Sequence, residues 1–204
     1  MKFLSPLLFF ALLKPFSHMN AEKQPQPVLE TAFFGGGCFW CVAAFFQRLK
    51  GVTSVVSGYQ GGSLSNPSYR DVTSGRSGHA EVVQVTFDPE IIRFKDLLSV
   101  FFAIHDPTTL NRQGADVGTQ YRSVIYTTSP EQLQAANAKI LGLTREQVFT
   151  DPIVTQVQEA PQFYPAEDYH QDYFNRNPNV PYCRIVIAPK LQKLQIPAEL
   201  LRDG

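Results

Sequence analysis

The sequence predicts an α+β fold: a ferredoxin-like β-α-β-β-α-β two-layer sandwich with an added helix and strand and a long irregular C-terminal segment. Three observations predict it. Runs that alternate with period two stand apart from runs with helical spacing. Glycine or proline closes most of the runs. Their order from residue 28 onward is the split β-α-β-β-α-β arrangement.

Taken in order, "LETAFFGG" is a short β-run stopped by glycines. "CFWCVAAFFQRLK" follows as a helix with Cys38, Val42, Phe45 and Leu49 on one stripe, and Gly51 ends it. "VTSVVSGYQGG" is β-branched and reads as a strand. "SLSNPSYRDVTSGRSG" is a polar excursion with one helical turn after Pro67. "HAEVVQVTFDP" alternates and ends at Asp88-Pro89. "FKDLLSVFFAIHD" sets Phe94, Leu97, Leu98 and Phe101 on one helical face. A polar loop over 105–120 leads to the strand "YRSVIYTT". The added elements are the helix "PEQLQAANAKILGL" and the strand "PIVTQVQEA"; after Pro161 the chain is rich in aromatics and prolines and reads as irregular.

Length and composition bound the function. The chain has 204 residues, enough for one domain with a sizeable core and too few for two. Hydrophobic residues are 44% and charged residues 18%, which separates it from disordered chains. Eighteen basic residues cancel eighteen acidic ones, so charge points to no nucleic acid and no stable membrane association. Nothing demands an oligomer, and a monomer is expected. Three cysteines are too few for a disulfide scaffold, and the odd number leaves at least one thiol free.

The first residues differ from the rest. Lys2 precedes an apolar run from Phe3 to Leu13, too short to span a bilayer but suited to a secretory leader, and Ala21 is a small residue for cleavage. Residues 1–21 therefore read as a signal peptide, 22–29 as a linker and 30–204 as one domain. A cleaved leader predicts a periplasmic or secreted protein; the alternative is an apolar arm on a cytoplasmic one.

The chemistry gathers around "GGGCFWC". Cys38 lies where a strand ends, glycines turn the chain and a helix begins. Free backbone N–H groups and the helix dipole favour negative charge there, so the thiol is expected to be more acidic than a free one. Gly35 to Gly37 let the backbone approach a ligand closely. An inert buried cysteine is the ordinary alternative. Phe39 and Trp40 read equally as core aromatics or as a substrate pocket. On the strand "HAEVVQVTF", Glu81 shares a face with Val83, Val85 and Phe87. A carboxyl in such surroundings gains a raised pKa and becomes a proton donor, unless it reaches solvent at the strand end.

Eight blocks then appear in order: "GGCFW", "SGYQGG", "NPSYRDV", "SGHAEVVQVTFDP", "HDPT", "DVGTQYRSVIY", "FYPAEDYHQDY" and "PYCRIVIAPKL". Together, over about residues 30–192, the chain resembles the A-type peptide methionine sulfoxide reductases. The resemblance implies reduction of the S epimer of methionine sulfoxide, free or within a protein, and so repair of oxidised proteins. By it, Cys38 is the nucleophile, Glu81 the acid that protonates the sulfoxide oxygen, and Tyr69 and Tyr121 the phenols that hydrogen-bond that oxygen. Asp116 helps organise the site, and Phe39 and Trp40 hold the substrate methyl group. His170 falls at a familiar position without a chemical step. No cofactor is bound; an external dithiol such as thioredoxin is the partner that restores the enzyme.

Two thiols can resolve the oxidised Cys38. Cys41, where many family members carry glycine, is three residues away on the helix, a spacing that also suits plain packing. Cys183 lies in a Pro/Asn-rich segment that reads as mobile, and is the favoured choice because a flexible tail can reach the sulfur. Other classes compete on single features. A thioredoxin-like oxidoreductase would use Cys38-x-x-Cys41 but leaves Glu81, Tyr69 and Tyr121 idle. A metal module of three cysteines and a histidine has ligand spacing only in its first pair, so no metal is expected. A Cys/His hydrolase lacks a histidine tied to Cys38.

Overall fold

The structure is a computed structural model that describes residues 27–193 and 196–202. The expected leader, 1–21, and the start of the linker lie outside the described residues. The strands are β1 (Glu30–Gly35), β2 (Val52–Gln60), β3 (Ala80–Phe87), β4 (Arg112–Gln113), β5 (Asp116–Val117), β6 (Val124–Thr127), β7 (Gln156–Glu159) and β8 (Phe163–Pro165). The helices are α1 (Phe39–Phe46), α2 (Tyr69–Thr73), α3 (Phe94–Ile104), α4 (Pro130–Arg145), α5 (Tyr173–Arg176) and α6 (Ala188–Lys193). Single 3-10 turns cover Thr119–Tyr121 and Asp168–His170, and a π-helical turn covers Cys183–Ile187.

Six strands form one mixed sheet in the order β7-β6-β1-β3-β2-β8. Every pairing is antiparallel except β6 with β7. The register sets Ala32 opposite Val85 between β1 and β3, and Tyr59 opposite Glu81 between β2 and β3. Period two then sends Phe34, Val83, Val85 and Phe87 into the main core with α1 and α3. Phe33, Val82, Val124 and Tyr126 face the other way and make a smaller cluster with Phe163. The centre of the main core is an aromatic stack. Phe34 lies 4.8 Å from Phe46, 5.2 Å from Phe101 and 6.0 Å from Phe94, ring centre to ring centre. It ties β1 to both helices.

Helix α1 is shorter than its sequence run and is buried on all sides except at half-buried Trp40. "FWCVAAFF" carries no polar residue, and a helix apolar all round needs cover all round. The sheet covers one side, and the C-terminal part of the chain covers the other. Lys50 N–H donates to the Leu200 carbonyl at 2.8 Å, and Arg202 N–H to the Arg48 carbonyl at 2.9 Å. That closure corrects the expectation of an irregular tail. Strand β8 pairs with β2, and α5, the π turn and α6 follow it. Local signals for them were weak because Pro161, Pro165, Asn177 and Pro178 break the periodicity. The loop over 105–120 likewise contains the small β4–β5 hairpin, turning at Gly114 with φ +60°.

Truncation of Phe34 to Ala should remove the stack that joins β1 to α1 and α3. Denaturant unfolding should show a loss of about 3–5 kcal/mol, a large-to-small change in a core that cannot collapse around the gap.

Candidate active site

The end of β1 and the start of α1 build the site's floor. Gly37 adopts φ +93°, and a Cβ there would fall 2.6 Å from the Gln113 side chain. A Cβ on Gly35 would meet the Glu81 carbonyl at 2.9 Å. The glycines thus let β1 and the β4–β5 hairpin close against the helix start. Cys38 is the residue that caps α1, and its carbonyl accepts from Cys41 N–H at 3.0 Å.

Glu81 completes that start. Its carboxylate accepts the Phe39 N–H at 3.0 Å, and the residue is 1% exposed. Burial pushes its pKa up to about 8, against the pull of the Phe39 hydrogen bond. The strand face read from the sequence is correct, and its carboxyl is neutral over most of the neutral range.

The phenols come from two flanking turns. Ser68 and Asp71 cap each other's backbone and hold α2, which begins at Tyr69. Arg122 donates to the Thr119 carbonyl at 2.9 Å and the Gly78 carbonyl at 3.1 Å, so the turn bearing Tyr121 is pinned beside the start of β3. Burial raises both phenols, Tyr69 above the ordinary range and Tyr121 to about 12. The Glu81 charge raises each further, with contributions from Cys38. Cys38, Glu81, Tyr69 and Tyr121 therefore share one electrostatic neighbourhood.

The thiols depart from expectation. Cys38 is buried, and burial holds it well above its ordinary value, with Cys41 and Glu81 adding to the effect. The backbone N–H of Trp40 pulls the other way and loses. The helix start does not acidify Cys38, because desolvation outweighs one dipole and the Phe39 N–H is committed to Glu81. Cys41 is instead lowered, chiefly by the hydrogen bond from Cys38. All three cysteines are free thiols. Cys183 is buried within a helical turn, which corrects its expected position in a mobile tail.

Five further residues join the site that sequence reasoning left without roles. Trp40 Nε1 donates to His170 Nδ1 at 3.1 Å, and the Tyr173 ring stacks on Trp40 at 3.7 Å and 6°. Glu167 accepts from the Tyr59 hydroxyl at 2.8 Å and from Tyr69 N–H at 2.9 Å. It lies 3.9 Å from His170 Nε2. Tyr182 brings its hydroxyl to Asp116 Oδ2 at 3.1 Å and to Cys41 Sγ at 3.6 Å. The block "FYPAEDYHQDY" was the available signal for Glu167 and Tyr173, but aromatic crowding in an apparently irregular stretch does not reveal its contacts. Phe39 is fully buried and Trp40 half-buried, so only Trp40 offers a face that a ligand can reach by displacing Tyr173.

Under this cover the cavity beside Cys38, Cys41, Gln113, Asp116 and Lys190 shrinks to about 10 Å³. A groove of about 640 Å³ lies elsewhere, between the start of β1 and the first turns of α3 and α4, and carries no thiol. Size does not mark the reactive place here; the chemistry does. Among the described residues no group of three or more His, Cys, Asp or Glu side chains is arranged to hold a metal.

A family model described as peptide methionine sulfoxide reductase matches residues 30–199. The peptide methionine sulfoxide reductase MsrA of Polynucleobacter asymbioticus is 56% identical over 169 residues, covering 83% of this chain and 89% of that protein. Among solved structures, methionine sulfoxide reductase A of Corynebacterium diphtheriae is similar with TM-score 0.67 and 37% identity, over 75% of this chain and 77% of that one. Reduced Mxr1 from Saccharomyces cerevisiae is similar with TM-score 0.69 and 33% identity, over 74% and 87%.

Glu81 also links the site to stability. Its folded pKa of about 8 stands above the ordinary 4.5, so its contribution is full below about pH 4.5 and is lost as pH rises toward 8. Thermal melts of Glu81→Gln should match wild type at low pH and exceed it increasingly up to about pH 8, by an amount on the order of a few kcal/mol.

Proposed function

The chain belongs to the peptide methionine sulfoxide reductase family, and we propose from that membership and from the site that it reduces methionine sulfoxide with its own thiols. One observation carries the reading: a buried carboxyl, protonated near neutral pH, shares a neighbourhood with a buried thiol and two phenols. A sulfoxide oxygen is a poor leaving group until it is protonated or strongly hydrogen-bonded. Glu81 supplies the proton, and Tyr69 and Tyr121 donate hydrogen bonds to the same oxygen. The Cys38 sulfur takes the oxygen and becomes a sulfenic acid, while its thiol proton replaces the one Glu81 gave. The raised thiol fits this exchange, since the proton leaves within the step and not before it.

The proposal extends to finer points. The S epimer is the substrate, free or within oxidised proteins, with the methyl group against Trp40 after Tyr173 moves aside. A second thiol condenses with the sulfenic acid, and an external dithiol of thioredoxin type reduces the disulfide. The enzyme works as a monomer without a bound cofactor. Residues 1–21, read as a cleaved leader, support a periplasmic or secreted location, where the enzyme repairs exported proteins under oxidative stress. The antiparallel order β6-β1-β3-β2, with α1 and α3 as its crossovers, supports the ferredoxin-like description of the framework.

Purified protein with dithiothreitol should form methionine from one sulfoxide epimer, and Cys38→Ser should abolish it. Glu81→Gln should lower turnover by roughly 10²-fold or more, the scale of a lost general acid. Wild-type turnover should fall as pH rises through about 8, where Glu81 loses its proton. Methionine production by Cys38→Ser at the wild-type rate overturns the assignment.

A further inference from the structure

We propose that Tyr182 and Asp116 form a proton relay that makes Cys41 the thiol that resolves the Cys38 sulfenic acid. The proposal rests on the reductase reading above. The Tyr182 hydroxyl donates to Asp116 Oδ2 at 3.1 Å. With its proton committed there, the same oxygen faces Cys41 Sγ at 3.6 Å as an acceptor, so the thiol is the donor. The result is one directed chain from Cys41 S–H through Tyr182 O–H to the Asp116 carboxylate.

Three features make the chain matter. The cavity holding Cys38, Cys41 and Asp116 has a volume of about 10 Å³, about what one water needs, so bulk solvent does not reach Cys41 as a base. Lys190 lines the same cavity, and its charge favours the Cys41 thiolate. Burial holds Tyr182 far above the ordinary phenol range, so it passes a proton onward without keeping the negative charge. Cys183 lacks this support. Burial raises its thiol, and among the described residues its sulfur makes no hydrogen bond.

In the step itself, the Cys41 sulfur attacks the Cys38 sulfur, the S–S bond forms and the S–O bond breaks. Cys41 is oxidised and Cys38 is reduced from sulfenic acid to disulfide. The Cys41 proton passes to Tyr182 as the Tyr182 proton passes to Asp116. The departing hydroxide takes the Glu81 proton and leaves as water, and Asp116 returns a proton to Glu81 through that water.

A single turnover without reductant tests the relay. Methionine sulfoxide is added to reduced enzyme, the reaction is quenched with dimedone and iodoacetamide, and peptides are mapped by mass alongside the methionine formed. Wild type should show a 38–41 disulfide and little dimedone on Cys38. Tyr182→Phe should raise dimedone adduct per methionine by about tenfold or more, the low end of a proton-transfer contribution. Asp116→Asn reads the same quantity should the first variant fold poorly. A 38–183 disulfide in wild type overturns the relay alone, as does a wild-type adduct ratio in both variants. No methionine from wild type overturns the reductase reading and the relay with it.

Discussion

The structure turns on one carboxyl held without water. Glu81 ends up beneath the first turn of α1 because β3 alternates correctly and the glycines before Cys38 let the helix start close over it. Its single backbone donor is too little to keep it ionised, so burial decides its charge. That choice propagates. A neutral acid can donate to an oxygen, while an ionised one would repel the electron-rich sulfur beside it. The two phenols stay protonated for the same reason and serve as donors.

Cover over the site is the second theme. Helix α1 is apolar on every side, and the chain after Pro161 supplies the face that the sheet leaves open. In doing so it delivers Tyr173 onto Trp40, His170 onto the indole N–H, and Tyr182 between Cys41 and Asp116. Packing and chemistry are thus met by the same residues. Glu167 connects the layers, holding Tyr59 of the sheet and the backbone of Tyr69 with its two oxygens. A substrate has to displace part of this cover, because the cavity left beneath it is small.

The two cysteines at the helix start divide the labour by environment. Cys38, beside Glu81, is held protonated; Cys41, one turn along, meets the Cys38 thiol as a hydrogen-bond donor and a lysine and is the more acidic. Position at a helix N-terminus alone predicts the reverse. Dipole effects of a fraction of a charge give way where desolvation is nearly complete.

Sequence by itself determined the order of the first six elements, the helix start at Cys38 and the side of β3 on which Glu81 lies. These are local matters: glycines stop strands, and period two assigns faces within a single run. The blocks around Cys38, Tyr69, Glu81, Tyr121 and Asp116 also carried the family resemblance. Only the tertiary structure decided the charge state of Cys38, the burial of Cys183 and the contacts of Glu167, Tyr173 and Tyr182. They depend on residues distant in sequence meeting over α1, as Trp40 and His170 do across 130 positions, and on how much water that meeting excludes. Spacing along a chain carries no information about either.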